Sequence, residues 1–232
     1  MLNGMKVMSF QNDQTQVFLE KEADAWFERN FSKEVKQNRD QDLVLKYLRT
    51  AFLDGKKVGE VGCSDGWRLA ELQSIFSCDC VGVEPSQKAI DVGNQRYKSI
   101  TLMRGTAAST GLESDSLDVL VLGFCLYLCD RNELFKIAYE CDRILRDTGL
   151  LLIVDFMPPF AYKNPYHHLE GLNSYKQDYS KMFLWNPAYR LIHLETANLP
   201  RNPNVPMNPD HCVGLTVLHK NQTHAYPESP FG

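Results

Sequence analysis

An α/β fold built on a doubly wound, mostly parallel seven-stranded sheet with an antiparallel C-terminal strand is what this sequence predicts, on three observations. Apolar runs of strand length alternate with amphipathic helical segments from residue 57 to residue 155. Those runs are nearly continuous, as in strands covered on both faces. The stretch Lys57-Val-Gly-Glu-Val-Gly-Cys-Ser-Asp-Gly66 passes through Glu60 into a glycine turn that opens a helix, and a second acid, Glu84, closes the next run. A strand, a glycine turn and an acid about twenty residues on is how such a sheet holds an adenosine ribose.

The elements follow in order. Residues 15–30 carry Phe18, Ala23, Trp26 and Phe27 and read as a helix. A second helix sets Leu43, Val44, Tyr47, Leu48, Ala51 and Phe52 on one face of a 3.6-residue period. Strands are expected at 57–61, 80–84, 99–104, 117–122 and 150–155, with helices at 66–76, 86–97 and 131–146 between them. In the last helix Leu134, Ile137, Ala138, Cys141, Ile144 and Leu145 form one stripe, and Thr148-Gly149 is the expected stop. Residues 156–188 are rich in aromatics, His and Pro and lack a clean period. Two further strands, near 189–195 and 213–219, are joined by a Pro/Asn-rich connection that leaves no room for a helix, so they should pair antiparallel. The expected organisation is one domain over 1–232: N-terminal helices (1–55), a cofactor-binding core (56–155), an acceptor cap (156–188) and a C-terminal strand pair (189–220).

Bulk properties exclude several function classes. A net charge of −4 over 232 residues supplies no overall positive field to recruit a nucleic-acid backbone. The best apolar run, Leu150 to Val154, is far too short to cross a bilayer, and the N-terminus lacks a signal-type apolar core. Seven cysteines at no metal-site or disulfide-framework spacing read as reduced thiols of a cytoplasmic protein. No metal, membrane or nucleic-acid partner is expected.

The glycine spacing chooses among cofactors. A dinucleotide fingerprint anchored on Gly62 needs glycines where this chain has Ser64 and Trp67, and the Gly-Lys-Ser/Thr of a phosphate loop is absent. What remains is Glu60-x-Gly62-Cys63-x-x-Gly66. It resembles motif I of class I S-adenosylmethionine-dependent methyltransferases. Val81-Gly-Val-Glu84-Pro85-Ser resembles motif II of that family. Gly105-Thr106-Ala107, then Ser116-Leu-Asp-Val-Leu-Val-Leu-Gly123, resembles its adenine-edge turn and fourth strand. Asp142-Arg-Ile-Leu-Arg-Asp-Thr-Gly-Leu resembles the helix, glycine and strand that follow. The resemblance implies a Rossmann-like fold, S-adenosylmethionine as cofactor, and a binding set of Glu60, Gly62, Cys63, Ser64, Gly66, Trp67, Glu84, Pro85, Gly105, Thr106, Ala107, Gly123 and Phe124. Thr106 departs from the Asp usual at the adenine edge, which shifts adenine recognition toward backbone atoms and the apolar Ala107 and Met103. Read from the residues alone, Glu84 is either a ribose acceptor or an exposed acid at a strand end, and Glu60 either a site acid or a salt-bridged one.

Methyl transfer is an in-line displacement, so the chain's task is alignment and exclusion of water, with a base added for a hydroxyl acceptor. The wall beside the methyl is expected from Gly123-Phe-Cys-Leu-Tyr127, with Tyr127 either lining the acceptor pocket or packing in the core. Residues 155–185 form the expected acceptor side, with Tyr166, Tyr175 and Lys176 as candidate contacts and His167 or His168 as candidate base. Lys163, Lys176, Lys181 and Arg190 against Glu170 and Asp178 point either to an anionic acceptor or to a solvated basic face. Trp26, Phe27 and Arg29 either close over the cofactor or simply pack. The cap and Gly123–Arg131 resemble bacterial methyltransferases of surface-polysaccharide biosynthesis, which implies O-methylation of a sugar or phosphate-derived capsule or O-antigen unit. The rivals are a nicotinamide-dependent enzyme on the same sheet and a non-catalytic S-adenosylmethionine-binding protein.

Overall fold

The computed structural model describes residues 13–31, 41–51, 53–198 and 208–231. Phe52 lies outside them. Seven strands form one sheet: β1 (Lys57–Val61), β2 (Asp79–Glu84), β3 (Thr101–Arg104), β4 (Leu117–Gly123), β5 (Leu145–Phe156), β8 (Tyr189–Asn198) and β9 (Cys212–Lys220). Their order across the sheet is β3-β2-β1-β4-β5-β9-β8. The first five run parallel, and β9 lies antiparallel between β5 and β8. This is the expected fold class. Two short strands, β6 (Tyr162–Pro165) and β7 (Asn173–Lys176), form a separate antiparallel hairpin.

The continuous apolar runs have the anticipated cause. In β4, Val119 and Val121 enter one core with Val58 and Leu152, while Leu120 and Leu122 enter the other with Val61 and Ile153. The first core is covered by α3 (Leu43–Leu48), α4 (Trp67–Phe76) and α5 (Gln87–Arg96). The second is covered by α6 (Leu134–Ile144) and α7 (Lys181–Leu184). Before them, α1 (Gln14–Val17), a π-helical turn (Phe18–Glu22) and α2 (Ala23–Phe31) make one helical segment capped by Asp13, whose side chain accepts from the Thr15 and Gln16 amides.

Three boundaries differ from expectation. The helix expected to run to Arg146 ends at Ile144: Leu145 turns extended, pairs with Leu117 and is fully buried. Thr148-Gly149 is therefore a kink inside β5 rather than a helix stop. The front of that helix, Arg131–Glu133, is a 3-10 turn. The hairpin β6–β7 arises in a stretch without apolar period because its inward residues are polar. Ser174 and Lys176 are the buried ones, and Lys176 Nζ is held by Asp210 Oδ1 at 2.8 Å and Asp210 O at 2.6 Å, above the Phe156 ring.

Beneath the glycine turn lies an ionic knot joining β1, α3 and α4. Arg68 donates to Glu60 and, at 2.9 Å, to Asp42 Oδ2; Asp42 also caps α3 through the Leu45 amide at 2.8 Å. Burial works against the Arg68 charge, but Glu60 and Asp42 outweigh it and raise its pKa. Replacing Arg68 by Met would strand both carboxylates, and losing one partner of a buried pair costs about 3–5 kcal/mol. Urea denaturation of Arg68→Met should show a loss of that size, whereas Glu60→Gln, which keeps a hydrogen-bond acceptor, should lose much less.

Candidate functional site

The strand order reverses between β1 and β4, and open sheets bind ligands outside the carboxyl ends of strands at such a point. An open cleft lies there, about 790 Å³ with the solvent space at its mouth included. Its floor is the turn after β1 (Val61, Gly62, Ser64), its side the end of β2 (Glu84, Pro85) and the turn after β3 (Thr106, Ala107). The end of β4 and the 3-10 turn beyond it (Gly123, Phe124, Cys125, Leu128, Cys129) form the other wall. Thr15, Phe18, Ala23 and Trp26 of the N-terminal helical segment roof it.

The floor needs its glycine. Gly62 has φ +76°, and a Cβ there would sit 2.7 Å from the Cys125 Cβ and 3.0 Å from the Gly123 carbonyl oxygen. Ser64 and Phe124 adopt positive φ without being glycine, at 52° and 49°, a strained state that concentrates at binding sites. Ser64 Oγ is buried and finds no hydrogen-bond partner among the described residues, although Ser64 lines the cleft.

Glu84 is the centre of the site. Its Oε2 accepts the Ser64 amide at 2.9 Å and its Oε1 accepts the Ser86 amide at 3.0 Å. Each oxygen keeps a lone pair for a further donor. Burial pushes this carboxyl up to about 7, and the two amides hold it from going higher. At the end of β5, Asp155 is likewise pushed up to about 7 by burial while accepting the Phe156 and Tyr127 amides.

Polar ties hold the roof. Asp24 accepts from Ser86 Oγ at 2.7 Å and from the Lys88 amide at 3.1 Å, and Arg104 donates to the Leu19 carbonyl at 2.5 Å. On the opposite side Gln14 Nε2 reaches the carbonyls of Leu128 and Asn173, at 2.6 and 3.0 Å. Buried Glu22, from the π turn, accepts from Arg29 and from the Tyr166 hydroxyl at 2.9 Å. The Tyr166 ring in turn faces Phe18 at 6.2 Å.

Of the residues expected around a cofactor, Gly62, Ser64, Glu84, Pro85, Thr106, Ala107, Gly123 and Phe124 line the cleft together. Five others stand behind it. Glu60 is buried against Arg68, Cys63 is in the core, and Trp67 packs on that core. Gly66 and Gly105 serve packing: a Cβ would lie 2.6 Å from Ile100 Cδ1 at the first and 2.8 Å from Val83 Cγ1 at the second. Arg29 is paired with Glu22, outside the lining. At the N-terminus of α4, the Trp67 amide lies 3.4 Å from Asp65 Oδ1.

The acceptor candidates are spread more widely. Tyr127 packs edge-on against Phe156 at 5.1 Å, half-buried. His167 and His168 are exposed and outside the lining. Tyr166 is engaged with Glu22 and Arg29, Tyr175 lies under the Arg131 guanidinium at 4.4 Å, and Lys176 is tied to Asp210. Thr15, Leu128 and Cys129 enter the lining unannounced by any sequence pattern, whereas the apolar face of the first helix was the available signal for Phe18. Among the described residues no group of three or more His, Cys, Asp or Glu could hold a metal ion, and no helix is long and apolar enough to cross a membrane.

Comparison with known proteins agrees with this geometry. Residues 59–153 match the family described as a methyltransferase domain. The chain is 25% identical over 108 residues to the ubiquinone/menaquinone biosynthesis C-methyltransferase UbiE of Campylobacter jejuni, a match covering 43% of this chain and 44% of that one. It is 29% identical over 112 residues to an uncharacterised Haemophilus influenzae protein, covering 46% and 45%. The match thus spans less than half the length of these curated relatives. Among solved structures, a chain from the complex of the Trm112 methyltransferase activator of Haloferax volcanii with a methyltransferase superposes with TM-score 0.67 at 15% identity, covering 89% of this chain and 99% of that one. An S-adenosylmethionine-dependent methyltransferase from Methanosarcina mazei superposes with TM-score 0.60 at 13% identity, covering 75% and 97%. The seven-stranded sheet is the fold shared with these structures, and the residues that match the methyltransferase-domain family, 59–153, build the floor and both walls of the cleft.

Proposed function

We propose that the chain is an S-adenosylmethionine-dependent methyltransferase acting on a small acceptor that presents an uncharged, apolar edge to the methyl group. The observation that carries the reading is Glu84. Two backbone amides fix its carboxylate at a strand end, and both oxygens still have room to accept the vicinal hydroxyls of a ribose. S-adenosylmethionine is the cofactor, and when bound it supplies an electrophilic methyl on sulfur.

The residues present fit that group. Gly62 leaves the floor open, Ser64 offers an unpartnered hydroxyl, and Thr106 with Ala107 meets the base edge at the end of β3. Phe124, Cys125, Leu128 and Cys129 make the wall beside the methyl apolar. Such a wall aligns the acceptor and excludes water, which is what a displacement at sulfonium methyl requires.

Charge favours one acceptor class. Among the described residues lining the cleft there is no Lys, Arg or His, and Glu84 is the charged one. The cations that suggested an anionic acceptor lie elsewhere: Lys176 on Asp210, Lys181 facing Asp178 at 3.9 Å, Lys163 and Arg190 exposed. The relatives named as C-methyltransferases of ubiquinone and menaquinone biosynthesis favour the same reading, an acceptor carbon on an apolar ring. O-methylation of a sugar or phosphate-derived unit of a bacterial surface polysaccharide is the second reading. It rests on exposed Lys163, His167 and His168 in the β6–β7 hairpin, whose Tyr166 abuts the roof.

Thermal shift separates the cofactor readings. S-adenosylmethionine and S-adenosylhomocysteine should stabilise the chain by about 1.4 kcal/mol at tenfold excess over the dissociation constant, and NAD(H) should not; stabilisation by NAD(H) alone would overturn the proposal. Gly62→Val should abolish this shift, and its clash with Cys125 and the Gly123 carbonyl should also lower the melting temperature of the free protein. A release assay for S-adenosylhomocysteine on phenolic and quinol acceptors beside sugar phosphates then distinguishes the two acceptor classes. Release with neither class would favour a binding protein that transfers nothing.

Glu84→Gln puts an amide N–H₂ against a backbone N–H, so affinity for the cofactor should fall about 10- to 100-fold, the worth of a hydrogen bond to a charged group. Adenosine does not titrate near neutrality and isolates the Glu84 term. A protonated Glu84 loses acceptor capacity, so adenosine affinity should rise as pH increases from 6 to 8 through the carboxyl's pKa of about 7. Calorimetry on Glu84→Gln should give a flat profile. Without ligand the sign reverses: the folded chain keeps protons on Glu84 and Asp155 that the unfolded chain releases above about pH 4. Their contribution to stability is present at low pH and lost as pH rises through about 7.

Ser64→Gly should act in opposite directions on two readouts. Removing strain at φ +52° should raise the melting temperature of the free protein, while losing the orphan hydroxyl should weaken S-adenosylmethionine binding. Equal binding by Ser64→Gly would mean that the hydroxyl does not meet the cofactor.

A further inference from the structure

We infer that two copies of this chain associate through β8, each strand pairing antiparallel with its symmetry mate about a two-fold axis at His193, so that two seven-stranded sheets join edge to edge. β8 is the terminal strand of the sheet, and among the described residues no strand pairs with its outer edge. It is ten residues long, contains neither Lys nor Pro, and exposes Leu191, Ile192 and Leu194 at 45%, 49% and 52%. Long edges carrying exposed aliphatic side chains are templates for strand pairing; Pro, a usual defence, is absent here, and the two fixed charges, Arg190 and Glu195, are of opposite sign.

The identity of the occupant follows from the strand's own pattern. Pairing with β9 jumps from Leu191 opposite Leu218 to His193 opposite Val217, so Ile192 is a bulge and the alternation of faces slips by one residue. Contacts on each face confirm the slip. Tyr189 packs on Phe183 of α7 at 5.4 Å and bonds Asp142 of α6, which places Tyr189, Leu191 and Leu194 on the α6–α7 face. His193 stacks on Tyr47 of α3 at 4.9 Å and Glu195 binds Lys46 at 2.9 Å, which places Arg190, His193 and Glu195 on the α3 face.

A two-fold axis perpendicular to the sheet keeps each face on its own side, so only residues of one face can meet. With the axis at His193, Leu191 stands opposite Leu194 on one face and Arg190 opposite Glu195 on the other, each pair made twice. Aliphatic and opposite-charge neighbours are the favourable cross-strand pairs. Moving the axis one step to Leu194 sets Leu191 against Thr196 and Arg190 against Ala197. Moving it to Leu191 sets Arg190 against His193 and Leu194 against Tyr189. The strand is self-complementary at the first of these registers, which favours a second copy over an unrelated partner. Leu184 and Trp185, exposed beside β8 on the leucine face, extend the patch.

Sedimentation velocity of the full chain from micromolar to hundred-micromolar concentration tests this directly. The expected species has twice the 26.6 kDa chain mass. Leu191→Glu and Leu194→Lys should each weaken the dimer at least tenfold. The double variant, which sets the two new charges opposite each other, should restore it. Both side chains are exposed, so an unchanged thermal melt will show that folding is intact in every variant. A monomer at all concentrations would overturn the inference, whether the edge stays free or takes a strand from a different protein. So would a dimer that neither single variant weakens, or a double variant that stays monomeric.

Discussion

A single buried carboxylate sets the geometry on which the rest of the cleft depends. Glu84 binds the amide of Ser64, in the turn after β1, and that of Ser86, in the turn after β2. Two adjacent strands are thereby locked at their carboxyl ends, where backbone pairing has already stopped. Burying a carboxyl so thoroughly is unfavourable, and burial is the main cause of its raised pKa. The two amides offset part of it. The remaining acceptor capacity faces the cleft, so a ligand with paired hydroxyls completes a set of hydrogen bonds that the chain by itself leaves short. Glu84 is thus both a clamp of the fold and an incomplete polar site.

Backbone strain and an orphan hydroxyl are found beside this clamp. Ser64 and Phe124, both lining the cleft, hold left-handed backbone conformations that glycine would adopt more readily. Gly62 between them cannot take a side chain because β4 passes too close. The rigid support comes from below, where Arg68 ties β1, α3 and α4 through Glu60 and Asp42. Buried ion pairs are weak evidence for net stability, but removing one partner leaves an uncompensated charge and is strongly destabilising. Here the knot lies directly behind the turn whose shape the cleft requires.

How far the sequence foretold this depends on how local each interaction is. The strand-turn-helix around Gly62 and the acid at Glu84 are legible because each is encoded within a few residues and by one spacing. Both cores were legible too, since a strand buried on two faces needs an unbroken apolar run. The roof was not. Gln14 meets Leu128 and Asn173, and Glu22 meets Tyr166, across more than a hundred residues of chain. No periodicity announces such pairings. The hairpin was hidden for a different reason: its buried residues are Ser174 and Lys176, which a hydrophobic pattern counts as surface. Lys176 is the sharper lesson, because its charge argued for an anionic acceptor while Asp210 had already neutralised it.

Floor and roof differ in what holds them, and the difference bears on how a ligand enters. The floor is fastened by two apolar cores and an ionic knot, so opening it would expose many fully buried side chains. The roof buries few apolar side chains, Ala23 and Phe27 among them, and is otherwise fastened by hydrogen bonds at its margins: Asp24 to Ser86, Arg104 to Leu19, Gln14 to Leu128, Glu22 to Tyr166. Water can replace such bonds at a net cost of about 1 kcal/mol each, whereas separating packed apolar cores costs about 25 cal/mol for every Å² exposed. The least costly path into the cleft therefore runs past the N-terminal helical segment. The π turn at Phe18–Glu22 lies at the middle of that segment, where one wide turn directs Phe18 to the cleft and Glu22 to the hairpin.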